Sequence, residues 1–431
     1  WVNPNIAEHL EQRKKAADWI RTLGNYLPIY FVGGYVRDKF FKKVSKDLDL
    51  VATVDLEQAK NILKQLNIEF KEKNNSHARL SFMIGGIRVD LISTTGEELL
   101  KNLRSRDFTI NAIAQSVTGQ FYDPTRGLED VKKKWLRSPN SDSVTAFESD
   151  PARILRGARF LADYPLKPHP SFLSGVKKTA EKVGTLKKRR IGYEVVKIVQ
   201  TEKPWISMKF LADYDILKHI CVDLNKMVGF KQRGPSHMKD VWGHTLAALK
   251  YAKSDDLVLN LAILFHDIGK PHTATDDQKS FPGHDKKGAE ITKKALTDLG
   301  LPDSVVKRVT NIVENHLFVA KVGTKGQPEE YRKLALTLGG DVDRFFRLVE
   351  ADAAAHKQGK DWDPDLAEKV KALVKKSEAA PVVSDTKDDE ELEKSLDLER
   401  VLVEDSLNII LGHDTGLTDV EYMLKLVDVN G

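Results

Sequence analysis

Two aspartates stand two residues apart in Asp47-Leu48-Asp49-Leu50-Val51-Ala52. The alternation of polar and apolar types reads as a strand, in which residues i and i+2 share a face. Both carboxylates would then stand side by side while Leu48 and Leu50 turn toward a core. Two hard oxygen ligands on a rigid element suit Mg²⁺, and phosphoryl transfer from a nucleoside triphosphate is chemistry that uses such a pair. Asp90, in Ile87-Arg88-Val89-Asp90-Leu91-Ile92, falls on a neighbouring predicted strand and could supply a third carboxylate. Upstream, Val32-Gly33-Gly34-Tyr35-Val36-Arg37-Asp38 breaks a strand with two glycines and resumes as a helix. Such a turn lets backbone N–H groups approach a phosphate at a helix N-terminus. Taken singly, a D-x-D is more often a solvated face and a Gly-Gly more often only a turn. Their order within about 20 residues is the specific signal.

A second set of candidates is His244, His266, Asp267, His284, His316 and Asp352, spread through a later helical region. A lone histidine on a helix is more often a core or surface residue than a ligand. The His-Asp pair in Leu264-Phe265-His266-Asp267-Ile268-Gly269-Lys270-Pro271 differs, because two adjacent polar ligands end an otherwise apolar helix. Imidazole plus carboxylate suits a borderline divalent metal, which would polarise a phosphate oxygen and activate water for hydrolysis.

The elements that must position these groups follow from periodicity. Residues 5–23 read as an amphipathic helix with Ile6, Leu10, Ala16, Ile20 and Leu23 inward. Ile29–Val32 reads as a buried strand, 55–66 as a helix, and 80–92 as a hairpin about Gly85-Gly86. From about residue 97 helix dominates apart from a short strand near 112–122, and 241–375 is an apolar helical region. The stretch 376–395 reads as an exposed acidic linker, followed by a C-terminal helical segment, 396–431, to which no function is assigned. The fold class is α+β: a small mixed sheet at the N-terminus and a largely α remainder.

Composition narrows the field. With 431 residues, 41% hydrophobic and 30% charged, the chain reads as a soluble globular protein of several domains. No run approaches the roughly 20 apolar residues of a membrane helix, and the first residues carry no secretory pattern. One cysteine, Cys221, cannot form an internal disulfide, which points to a reducing, cytoplasmic compartment. The formal net charge of +5 hides an asymmetry. Residues 381–431 hold 4 Lys/Arg against 14 Asp/Glu, whereas the other 380 hold 64 against 49. A basic body suits a polyanionic partner. Lys187, Lys188, Arg189 and Arg190 form a basic stretch that would draw a phosphate backbone by counterion release, or that simply ends a helix in solvent.

Five blocks in order carry a family resemblance. They are Gly33-Gly34-Tyr35-Val36-Arg37-Asp38, Asp47-Leu48-Asp49-Leu50, Arg106-Asp107-Phe108-Thr109-Ile110-Asn111-Ala112, Asp123-Pro124-Thr125-Arg126-Gly127 and Asp150-Pro151-Ala152-Arg153-Ile154-Leu155-Arg156-Gly157-Ala158-Arg159-Phe160. Together they resemble class II tRNA nucleotidyltransferases and bacterial poly(A) polymerases, in the polymerase-beta superfamily. The resemblance implies a mixed-sheet nucleotidyltransferase head over 1–137, an all-α nucleotide-selecting and RNA-binding body over 138–230, and an α-helical domain over 231–375. It implies that Asp47 and Asp49 hold Mg²⁺ and align a 3′-hydroxyl with the α-phosphate. Gly33, Gly34 and Arg37 would shape the triphosphate site, and Arg106, Asp107 and Asn111 the ribose side. Asp150 and Arg153 would read the incoming base, with Arg156 and Arg159 on the same helix face. Lys187, Lys188, Arg189 and Arg190 would meet tRNA. The region around His266-Asp267 resembles the HD phosphohydrolase superfamily. That likeness implies His244, His266, Asp267 and Asp352 as ligands of a transition metal (Ni, Mn, Co or Fe) or Mg, with His284 and His316 as the additional histidines of two-metal members.

The expected function is addition of CC or CCA to tRNA from CTP and ATP, with a phosphatase or phosphodiesterase activity at the HD site. The alternatives are a poly(A) polymerase, or an HD hydrolase that uses the head to bind RNA. Three departures from the family bear on this: Ser105 where a first arginine is usual, Ser149 before Asp150, and a short segment from Leu91 to Ser105 that resembles CC-adding members.

Overall fold

The computed structural model describes residues 4–43, 48–74, 78–139, 143–232, 240–356 and 364–377. Asp47, nearly all of the expected linker and the whole C-terminal segment lie outside the described residues. The described residues divide into two compact units, the first within 4–150 and 166–175 and the second within 151–165 and 176–377. No helix among the described residues is long and apolar enough to cross a membrane.

The first unit opens with α1 (Pro4–Leu23), then β1 (Ile29–Val32), α2 (Gly34–Phe41), β2 (Leu48–Ala52), α3 (Leu56–Gln65), β3 (Phe70–Asn74), β4 (Ala78–Ile84) and β5 (Ile87–Ser93). It continues with α4 (Gly96–Ser105), a 3₁₀ turn at Thr109–Asn111, β6 (Ala114–Ser116), β7 (Phe121–Tyr122), α5 (Gly127–Lys133), β8 (Trp135–Leu136) and α6 (Ser143–Ser149). Seven strands form one sheet in the order β3-β4-β5-β2-β1-β6-β7, with β2 and β5 parallel and the other neighbours antiparallel.

The pleat sorts the side chains into two cores. Phe31, Leu48, Leu50, Leu80, Phe82, Val89 and Leu91 pack on one face with Ala16, Ile20 and Leu23 of α1. Val32, Val51 and Ala114 pack on the other with Leu99 and Leu103 of α4. The charged strand β3 does not announce itself as half-buried by alternation. It forms because its backbone completes the edge of β4, with Glu72 opposite Leu80. The single strand expected near 112–122 is two short ones about the turn at Thr118-Gly119, where the Gly119 N–H bonds the Ser116 carbonyl at 3.0 Å.

The second unit is helical apart from irregular connections. It contains α7 (Ala152–Asp163), part of α8 (Pro170–Thr179), α9 (Lys188–Val199), α10 (Pro204–Asp213), α11 (Leu217–Ile220) and α12 (Val222–Lys226). The strand β9 (Lys167–Pro168), in the first unit, pairs with β8. Then follow α13 (Val241–Ala252), α14 (Leu257–Phe265), α15 (Lys270–Thr273), α16 (His284–Asp298), α17 (Asp303–Asn315), α18 (Phe318–Lys321), α19 (Pro328–Leu338), α20 (Val342–Ala355) and α21 (Pro364–Lys376). Helix α14 is apolar almost all round and every residue of it is buried, which marks a central helix rather than an amphipathic surface one. Its start is capped by Asp256, which accepts from Leu259 N–H at 2.9 Å. Its one polar side chain, Asn260, donates to the carbonyls of Val199 and Ser254. Helix α21 ends at Lys376, one residue inside the expected linker.

Candidate functional site

In the first unit the carboxylates are brought together by strand register. Asp49 on β2 lies opposite Asp90 on the parallel strand β5, and Val32 at the end of β1 lies opposite Asp49 on the other side. Asp49 and Asp90 occupy the sheet face that α4 covers further along, opposite the face filled by Leu48 and Leu50. Asp90 is buried. Its Oδ1 accepts from Ser81 Oγ at 2.5 Å and lies 3.5 Å from Arg88 Nε. Its Oδ2 has no hydrogen-bond partner among the described residues, and a buried carboxylate oxygen left open beside a second carboxylate fits a hard divalent cation. Ser81 was missed in the sequence, although the hairpin about Gly85-Gly86 carries the signal, since it pairs Ser81 with Asp90.

Gly33 shapes the floor of this site. Its φ of 65° with ψ of −130° is open to glycine alone. A Cβ there would stand 2.7 Å from Arg106 Nη1 and 3.1 Å from Asp49 Oδ2. The backbone that opens α2 therefore lies against both groups. Arg106 is aimed by its helix. Thr95 and Glu98 form a capping box at the start of α4, and Asn102 Oδ1 accepts from Arg106 Nε and Nη2 at 3.3 and 3.2 Å at its end. Asn102 is a second residue that the sequence reading missed. Ser105 folds its hydroxyl back to the Asn102 carbonyl, and Ser149 does the same to Ala146.

Arg37 donates to Asp38 Oδ1 and to Asn111 Oδ1, and Asn111 Nδ2 donates to Asp107 Oδ1. Arg37, Asn111, Asp107 and Arg106 thus form one hydrogen-bonded tract, because Arg106 Nη1 also reaches the Asn111 carbonyl at 3.4 Å. The block Asp123–Gly127 holds that tract from behind. Asp123 accepts from the N–H groups of Thr125, Gly127 and Leu128, and a Cβ on Gly127 would come 2.2 Å from the Thr109 carbonyl. Only glycine lets α5 approach the turn that carries Asn111 so closely. Beneath it, buried Asp130 accepts from Thr109 and Arg137, and burial raises its pKa. Asp150, buried, closes the first unit, whereas Arg153, Arg156 and Arg159 line α7 of the second. Arg153 is buried, and Arg159 Nε stands 3.9 Å from the buried Glu194 carboxylate.

Of the basic stretch, Lys187 and Arg189 are exposed on the start of α9, and the Arg189 stem lies against Gly300. Arg190 is half-buried. Lys188 is also exposed, but its Nζ donates to the carbonyl of His219 at 2.7 Å. It satisfies a helix end within its own unit.

The histidine set in the second unit converges from five helices. His244 comes from the first turn of α13, whose N-cap Asp240 accepts from Gly243 N–H. His266 and Asp267 follow α14, His284 begins α16, His316 ends α17, and Asp352 lies in the last turn of α20. Gly269 makes the convergence possible, since a Cβ there would stand 2.1 Å from the His284 carbonyl. His266, His284 and His316 each direct Nδ1 to the carbonyl three residues earlier, at 2.7, 2.8 and 2.7 Å. That bond fixes the tautomer and presents Nε2 to the centre, as ligating histidines require.

The Nε2 atoms meet the carboxylates closely. His244 is 2.7 Å from Asp352 Oδ1, His266 is 3.2 Å from Asp267 Oδ2, and His284 is 3.4 Å from Asp267 Oδ1. Buried Lys270 adds its ammonium 2.7 Å from Asp267 Oδ2 and 2.9 Å from Gln232 Oε1. Burial would lift the Asp267 carboxyl, but His266 and Lys270 hold it well below the usual range. Asp352 is held low in the same way by His244 and His266. Burial would push His266 down, yet the two carboxylates hold it up at about 10. His316 is pushed down to about 4 by burial and by the charge on its histidine neighbours. The cluster therefore gathers two carboxylates against the cations of Lys270 and His266, the charge balance a divalent ion would take over. Three overlapping groups have donor atoms within 4.8 Å of one another: His244–His266–Asp267, Asp267–His284–His316 and His244–Asp352–His356. His356 was not foreseen. Its signal was the spacing of four residues from Asp352 on one helix.

Comparison with known proteins identifies two domains in the chain. A poly A polymerase head domain model matches residues 29–92 and 79–137, and an HD domain model matches 236–345. The chain is 29% identical over 322 residues to the multifunctional CCA protein of Psychromonas ingrahamii, covering 68% of this chain and 76% of that one. It is 34% identical over 229 residues to the A-adding tRNA nucleotidyltransferase of Deinococcus radiodurans, about half of each chain (50% and 52%). Among solved structures, a CCA-adding enzyme with ATP shares the fold with a TM-score of 0.59 at 18% identity, over 98% of this chain and 97% of the other. The Thermotoga maritima CCA-adding enzyme complexed with tRNA gives 0.55 at 18% identity, over 99% and 96%. The chain carries a poly A polymerase head domain and an HD domain, and it is an enzyme similar to the tRNA nucleotidyltransferases among its relatives.

Proposed function

We propose that the protein adds nucleotides to the 3′ end of tRNA from CTP and ATP, and that its HD site hydrolyses phosphate esters at such ends. The observation that carries the first part is the register pairing of Asp49 with Asp90 beside Gly33 and Arg106. In a head of this family that arrangement is suited to a nucleoside triphosphate. Asp49 and Asp90, with Asp47, would hold Mg²⁺, which supplies Lewis-acid stabilisation of the triphosphate charge when bound. Gly33 lets Arg106 and Asp49 close on the start of α2, a helix N-terminus that would suit phosphate oxygens. Arg37, itself oriented by Asp38 and Asn111, and Arg106, oriented by Asn102, bring positive charge to the same place. Asp107 and Asn111, joined by a hydrogen bond, would sort ribose from deoxyribose.

Asp150 and Arg153 would read the base edge, a carboxylate accepting from an exocyclic amine and a guanidinium donating to ring acceptors. Arg156 and Arg159 extend that face, and Lys187, Arg189 and Arg190 would meet the tRNA backbone, with Lys188 bracing the helix that carries them. We place the head in 1–137, the selecting body in 138–230 and the HD domain in 231–375. At the HD site His244, His266, Asp267 and Asp352, with His284 and His316, would hold a divalent transition metal or Mg, which polarises phosphate and activates water when bound. Lys270 keeps the Asp267 carboxylate charged there.

The likeness to an A-adding enzyme supports a second reading, addition of the terminal A alone. Sequencing the products made from trimmed tRNA with all four nucleotides decides between these outcomes. CC, CCA or A ends on tRNA support the proposal, and untemplated ATP tailing of arbitrary RNA without use of CTP would overturn it in favour of a poly(A) polymerase. Loss of incorporation in Asp49→Asn with phosphatase activity intact would exclude a hydrolase whose head only binds RNA.

A further inference from the structure

We propose that His356 is an additional ligand at the Asp352 end of the HD cluster, so that His244, Asp352 and His356 form a pocket for a transition-metal ion sharing no residue with the Asp267–His284–His316 group. The inference rests on the reading that the HD site holds metal. His356 stands one turn after Asp352, at the C-cap of α20, so both side chains lie on one helix face. The His356 Nε2 atom is 3.6 Å from Asp352 Oδ1, the oxygen that also stands 2.7 Å from His244 Nε2. The rings of His244 and His356 have centroids 4.6 Å apart and are tilted by 38°.

One atom of each residue lies within 4.8 Å of the other two, the same closeness found in the other two donor groups. Two imidazoles and one carboxylate favour a borderline ion such as Co²⁺, Ni²⁺ or Zn²⁺ over Mg²⁺. The pocket is also open on one side: the side chains of Asp352 and His356 are 24% and 22% exposed, against 3% for His244. Three protein ligands with a solvent-facing position leave a place for water or a phosphate oxygen, the arrangement of catalytic rather than structural sites.

The test is titration of the full, chelator-stripped chain with Co²⁺ alone, read by visible ligand-field absorption and by equilibrium affinity. The wild type should show two classes of Co²⁺ site. His356→Gln and His356→Ala should weaken one class about 10- to 100-fold and shift its absorption bands, whereas His316→Ala should weaken the other. The glutamine variant keeps an amide able to hydrogen-bond Asp352, which preserves the fold should alanine disturb it. Unchanged affinity and bands in His356→Gln would overturn the proposal. So would a weaker site with an unchanged spectrum, since His356 would then only orient Asp352. A wild type that binds no Co²⁺ would instead overturn the reading that the HD site is a metal site.

Discussion

The two candidate sites solve opposite electrostatic problems. In the head, Asp49 and Asp90 sit at the end of a sheet face beside Arg106 and Gly33, and one Asp90 oxygen has no hydrogen-bond partner among the described residues. In the HD cluster the carboxylates are surrounded by five histidine rings and a buried lysine, and three of those rings are locked by their own backbone carbonyls. On the proposed function, the head's carboxylates would be balanced by Mg²⁺ that arrives with the triphosphate, itself an anion. A site that keeps its own ion must balance buried charge before any substrate arrives. The head is therefore organised by strand register and glycine space, and the HD site by helix ends and tautomer locks.

The sharpest way to separate them is to neutralise one carboxylate in each. Asp49→Asn should lower nucleotide incorporation by on the order of 10³-fold or more, because charge stabilisation at the reacting phosphate is lost. Phosphatase turnover by the same protein should be unchanged, and a parallel loss would mean that the sites are not independent. Lys270→Met removes the ammonium from buried Asp267 and should destabilise the metal-free second unit by about 3–5 kcal/mol. Added divalent metal should restore much of that loss, as followed by denaturant unfolding with and without chelator.

Gly33→Ala tests the claim that the head depends on space. It should destabilise the first unit by about 1–3 kcal/mol through its backbone conformation alone and reduce incorporation further by displacing Arg106 and Asp49. An alanine variant with wild-type incorporation would show that the closeness of those groups is unimportant.

The smallest effect lies away from both sites. Lys371 and Lys375 of α21 pair with Asp343 of α20, and those bonds hold the Asp343 carboxyl below its ordinary value. A lowered carboxyl contributes stability above its unfolded pKa and loses it as pH falls through the folded value. The protection factors of α21 amides, corrected for the intrinsic rate at each pH, should therefore fall on the acid side of the carboxylate range, and Asp343→Asn should remove that dependence. The effect should be modest, because Asp343 is 64% exposed.

Much of this was legible in the chain because the signals are local. The strand that carries Asp49, the glycine pair and the His-Asp ending of an apolar helix are each set by the pattern of a single element. The hairpin turn at Gly85-Gly86 even contains the pairing of Ser81 with Asp90, by counting outward from the turn. The polar edge strand β3 was not legible, since its pairing partner rather than its own pattern makes it a strand.

The sequence by itself determined which residues could do chemistry and on what kind of element each would stand, because residue type and periodicity act over a few residues. Only the tertiary structure decided which distant groups meet. The parallel pairing of β2 with β5 sets Asp49 opposite Asp90, and the close packing at Gly33, Gly127 and Gly269 decides what may approach them. The meeting of α13 with α20 brings His356 to His244, and the carbonyls of α11 occupy Lys188, a cation that composition alone would assign to RNA. Long-range register and helix crossing depend on packing of the whole unit, which no short stretch of sequence encodes.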